Sequence, residues 1–154
     1  MQYRDYEEFI AALNDQGARY LIVGAHAVAY HARPRATKDF DILVDPTPIN
    51  ARKTLVALNA FLGGDLGYSV DDLLDPDSFI QIGVAPVRID IMSSLKGCPD
   101  FAAIWKNRIE AAFGSQPACY LGLKDLIDAK LAADRIQDRA DIRVLRRAQS
   151  RQRY

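Results

Sequence analysis

Short apolar runs alternate with helix-like stretches along this chain, and that alternation is the strongest constraint on its fold. Tyr20 to Val23, Phe40 to Val44 and Val87 to Met92 are rich in β-branched and aromatic residues and too short for helices, so each reads as a strand. Ahead of them, Phe9, Ile10 and Leu13 share one face of a first helix that stops at Asn14-Asp15-Gln16-Gly17. Gly24 turns the chain into an Ala-rich helix reaching about His31, which Arg33-Pro34-Arg35 breaks. Another helix carries Leu55, Leu58 and Leu62 and ends at Gly63-Gly64. Helices interleaved with strands predict an α/β chain in the α+β sense, with layers packed around one core.

The remainder is less regular. Asp65 to Pro86 is rich in Asp, Gly and Pro, and Phe79-Ile80-Gln81-Ile82 is its best strand. A helix near Phe101 to Arg108 and a short strand at Ala118-Cys119-Tyr120 follow. From Leu123 to Tyr154 there is neither Gly nor Pro, and two helices joined near Asp134 to Asp138 are expected. At 154 residues the expectation is a single domain, 1–154, with room for one core and no separate recognition domain.

Asp39 and Asp41 stand two apart at the mouth of the second run, and alternate residues of a strand share a face at roughly 6.5 Å spacing, within reach of one metal or a metal pair. Asp90, in the third run, completes a candidate cluster. Asp75-Pro76-Asp77 has the same spacing, but its central Pro and loop-like neighbours make it a turn. An end-of-strand acid is ordinarily solvated. Two unit charges ~4 Å apart repel by about 4 kcal/mol at an effective dielectric of ~20, so a gathered trio implies a cation.

Other residues extend the candidate site. Gly24-Ala25-His26 follows a strand and opens a helix, which is either an ordinary turn or a cradle where backbone N–H groups meet phosphate. Arg35, Thr37 and Lys38 precede the acids and either line a loop or meet a triphosphate. Lys130 flanks the stripe of Leu123, Leu126, Ile127 and Leu131; it either snorkels past the core edge or enters a cleft where phosphate neutralises it, and the cleft is the expectation. His26 and His31 are five apart, a poor spacing for paired zinc ligands, and packing roles are expected.

Composition excludes some classes. Lys+Arg and Asp+Glu are both 20, so no global field gathers nucleic acid. Seven of the 14 Arg residues nevertheless fall between Arg135 and Arg153, a tail read first as a solvated face and otherwise as a contact for an RNA backbone or an acidic partner. Cys98 and Cys119 lack metal-ligand spacing, and Met1 to Asp5 resembles no secretory signal; free thiols in a reducing cytoplasm are expected. No apolar stretch approaches bilayer length, so no membrane partner is expected.

Taken together, Val23-Gly24-Ala25-His26, Thr37-Lys38-Asp39-Phe40-Asp41-Ile42-Leu43-Val44 and Arg88-Ile89-Asp90-Ile91 resemble the nucleotidyltransferase superfamily that includes DNA polymerase β and the minimal nucleotidyltransferases. Leu126 to Arg135, with Asp138 and Asp141, is similar to the closing helices of its AbiEii-like, abortive-infection branch. The resemblance implies a small mixed sheet flanked by helices. It implies Mg²⁺ or Mn²⁺ on Asp39, Asp41 and Asp90, with Asp90 as the possible base. It further implies phosphates cradled by Gly24 and Ala25, with Thr37, Lys38 and Lys130 also on the nucleotide. The reaction implied is attack by an acceptor hydroxyl of RNA, protein or a small molecule on a nucleoside triphosphate, releasing pyrophosphate. Ala25 departs from the usual Ser or Gly and removes a hydroxyl. That departure keeps open a second expectation, a degenerate nucleotide sensor or toxin–antitoxin component with a protein partner.

Overall fold

The computed structural model describes residues 3–34, 37, 39–84 and 87–152. Helix α1 (Tyr3–Asp15) leads to strand β1 (Tyr20–Val23), helix α2 (Gly24–His31) and strand β2 (Asp39–Val44). Helix α3 (Pro48–Leu62) and a single 3-10 turn at Asp71–Leu73 precede strands β3 (Phe79–Val84) and β4 (Val87–Met92). Helix α4 (Phe101–Lys106), strands β5 (Ile109–Phe113) and β6 (Gln116–Tyr120), and helices α5 (Leu123–Ala133) and α6 (Ile136–Arg151) complete the chain. The fold is α+β: a six-stranded mixed sheet in the order β3-β4-β2-β1-β6-β5, flanked by helices.

Alternation in the strands builds two cores. Phe40, Ile42, Ile80, Ile82, Ile89 and Ile91 face one way and meet Phe9, Ile10 and Leu13 of α1 and Leu58 of α3. Each large apolar side chain buried there contributes about 1.5–3 kcal/mol. Leu21, Val23 and Leu43 face the other way and meet Val28, Leu126, Ile127 and Leu145 from α2, α5 and α6. On that second face Asp39 and Asp41 occupy the positions that continue Leu43 along β2.

Two features depart from the sequence expectation. Ile109–Phe113 is a strand paired antiparallel with Gln116–Tyr120 across Gly114-Ser115. Its Glu and Ala content does not resemble a strand, and cross-strand pairing overrides propensity there. The helix near Phe101 stops at Lys106, two residues before the expected end, because Asn107 leaves the helical conformation. The α5–α6 joint falls where expected, with Asp134 in the left-handed conformation at φ 50. Among the described residues no helix is long and apolar enough to cross a membrane.

Candidate functional site

Strand pairing assembles the acids. β2 and β4 run parallel with Asp41 opposite Asp90 and Asp39 opposite Arg88. Paired residues of adjacent strands lie about 4.8 Å apart on one face, so the three carboxylates share a surface patch. All three line one cavity of about 360 Å³, together with Gly24 at the start of α2, Lys130 of α5, and Arg135 and Asp138 at the start of α6. That volume lies within the range of small-molecule sites. Phe79 and Lys96 stand at its rim, both exposed.

Asp41 is the electrostatic centre. Burial pushes its carboxyl up to about 7, the Asp90 and Asp39 charges push it the same way, and Lys130 opposes them. The Asp90 carboxyl is also within hydrogen-bonding reach of it. Gly24 explains how such packing is possible. At φ +66 it adopts a conformation that favours glycine, and a Cβ there would overlap the Asp41 carboxylate.

The flanking acids are held by neighbours. Arg88 donates through Nε to Asp39 Oδ1 at 2.7 Å, and its Nη2 lies 2.7 Å from the same oxygen. Gln81 Nε2 donates to Asp90 Oδ1 at 3.0 Å. With Asp39 drawn to Arg88 and Asp90 to Gln81, no group of three acidic, histidine or cysteine side chains among the described residues is placed to hold a metal ion as it stands. The donor set itself suits a hard divalent cation, because it is carboxylate oxygen only and includes one carboxyl that burial, and then neighbouring charge, has made costly to ionise. Coordination by all three would require Asp39 and Asp90 to exchange these partners.

Lys130 lies on the cavity wall, 6% exposed, with Nζ 3.1 Å from Asp138 Oδ1 and 3.2 Å from Asp141 Oδ2. Its charge is thus neutralised by two carboxylates of α6, where the sequence suggested a phosphate. Arg135 grips Asp138 as well, donating from Nε at 2.7 Å and from its backbone N–H at 3.0 Å. Burial disfavours the Asp138 charge, but the Arg135 and Lys130 hydrogen bonds outweigh it and hold the carboxyl down at about 2.

The other expected residues fall elsewhere. Ala25 is buried and is not among the described residues lining the cavity. Thr37 is exposed; its hydroxyl donates to the Asp39 carbonyl at 3.1 Å and accepts from the Asp39 N–H. Arg35 and Lys38 lie outside the described residues. His26 packs against Tyr6, Phe40 and Phe113, and His31 Nε2 is 2.7 Å from the Leu121 carbonyl. Sequence reasoning missed Arg88, Gln81, Lys96 and Arg135. Arg88 was legible as the residue two before Asp90 on the same strand face. Lys96 and Arg135 carry no local signal, since tertiary packing brings them to the rim. No protein-family model and no curated protein matches this chain.

Proposed function

We propose that the chain is a metal-dependent nucleotidyltransferase of the polymerase β-like kind, moving a nucleoside monophosphate from a triphosphate to an acceptor hydroxyl with release of pyrophosphate. The observation that carries this reading is the in-register placement of Asp39, Asp41 and Asp90 on one face of neighbouring parallel strands, against a glycine that opens a helix. Asp39, Asp41 and Asp90 would hold Mg²⁺ or Mn²⁺, which when bound supplies charge compensation to phosphate oxygens and makes the acceptor hydroxyl more acidic. The Asp90 carboxylate would accept the hydroxyl proton.

The remaining residues bind and orient. Gly24 places the first turn of α2 on the cavity wall, where no side chain caps the N–H groups and a phosphate would meet them. Lys96 and Arg135 add positive charge at the rim, and Lys130 contributes field from behind its two carboxylates. Phosphate transfer of this kind depends on positioning and electrostatic stabilisation more than on covalent chemistry by the protein.

The test is incubation with each labelled nucleoside triphosphate, Mg²⁺ or Mn²⁺, and total cell RNA or protein, beside the Asp39→Asn/Asp41→Asn double variant. Transfer of label by the unaltered protein, lost in the double variant, is expected. Transfer that survives in the variant overturns the reading. A second reading, a nucleotide sensor or toxin–antitoxin component without transferase activity, is favoured by Ala25 and by the occupied ammonium of Lys130. Binding of nucleotide without transfer would select it.

A further inference from the structure

The second half of α6 carries a charge pattern that the pocket does not use. Arg143, Arg146, Arg147 and Arg151 are all exposed, and no acidic residue occurs after Asp141. At 3.6 residues per turn, the four fall within an arc of about 140°, opposite the buried face formed by Ile142, Leu145 and Ala148. Arg33, just beyond α2, joins them. A cleft of about 120 Å³ is lined by Arg33, Arg147 and Arg151 over a floor of Ala32, Val144 and Ala148. Among the described residues none of these five arginines has an ion-pair partner.

A solvated helix face ordinarily mixes signs, because like charges four residues apart repel and opposite ones attract. Arg143 with Arg147, and Arg147 with Arg151, are like pairs at that spacing. Self-repulsion on this face is relieved by an anion, and in a chain of zero net charge such attraction is local to it. We propose that α6 and Arg33 form a binding surface for the phosphate backbone of a nucleic acid strand, distinct from the acidic pocket and not dependent on its assignment.

The chemistry favours phosphate over an acidic protein. A protein interface needs apolar or aromatic anchors in its centre. From Arg143 to Gln152 no exposed residue is apolar; Ser150 and Gln152 are the other exposed positions. Guanidinium forks match phosphate oxygens two at a time and need no such centre. The same lack of aromatics means that bases are not stacked, so binding is indifferent to sequence.

The test is fluorescence anisotropy with mixed-sequence RNA and DNA single strands over a range of salt. It compares the full chain, the Arg143→Gln/Arg147→Gln/Arg151→Gln variant and the Asp39→Asn/Asp41→Asn variant. Loss of three phosphate contacts is expected to weaken binding and flatten the slope of log affinity against log salt by about 2, at about 0.7 per contact. The Asp39→Asn/Asp41→Asn variant is expected to bind as the unaltered chain does, which separates this surface from the transferase reading. Thermal melts by circular dichroism confirm that the exposed substitutions leave the fold intact. An unchanged slope in the arginine variant, absence of binding, or displacement of RNA by an acidic polypeptide at equal charge overturns the proposal. The RNA and DNA arms show which backbone is preferred.

Discussion

Asp41→Asn is the most informative single substitution, because it removes a charge that folding works against. The rise of the Asp41 carboxyl from its ordinary 3.8 to about 7 means that the folded chain resists ionisation there. Below the unfolded value the group is neutral in both states and stability is undiminished. As pH rises through the folded value, stability is lost, by about 4 kcal/mol at 1.36 kcal/mol per pH unit. Asparagine keeps the shape and stays neutral. In buffer with chelator, urea titration at about pH 8 is expected to find the variant more stable by about 2–4 kcal/mol, with the gap closing by about pH 4. Adding Mg²⁺ at about 100 times its dissociation constant is expected to return about 2.7 kcal/mol to the unaltered chain and much less to the variant. A variant less stable at high pH without metal, or a gap that does not change with pH, refutes the electrostatic account of this pocket.

Other expectations are simpler. Lys130→Met is expected to cost about 3–5 kcal/mol in urea unfolding, since it removes the buried cation that faces both Asp138 and Asp141. Gly24→Ala combines a positive φ with overlap on the Asp41 carboxylate and is expected to cost about 2 kcal/mol or more in thermal melts, with loss of any Mg²⁺-dependent stabilisation. On acidification, the Asp138 carboxyl held at about 2 predicts the opposite slope to Asp41. Stability present above the ordinary value of 3.8 is lost as pH falls toward 2, by about 2 kcal/mol, and Asp138→Asn abolishes that limb of a pH–stability profile.

Much of the framework was legible because local chemistry and burial agree. The run Phe40 to Val44 places alternate residues on two cores, and Thr47 with Pro48 at one end and Gly63 at the other bound α3 as sequence rules require. The joint at Asp134 was readable in place but not in conformation. β5 was unreadable because its residues favour no strand until β6 pairs with them. At the site, Asp39 and Asp41 are neighbours in sequence, so their shared face follows from strand geometry alone. The partners of Lys130 could not be inferred, since Asp138 and Asp141 reach it only by α6 folding back across α5.

The parallel pairing of β2 with β4 has a kinetic corollary. Arg88 and Asp39 are 49 residues apart in sequence yet hydrogen-bonded, so forming this contact closes a long loop that contains α3. Non-local parallel pairing is slow to form. A ribosome-bound chain that has not yet emerged past Met92 therefore has β2 without its partner, its aspartates solvated and mutually distant from the third. On the proposed reading, the cation pocket is complete only once β4 has joined β2 in the sheet.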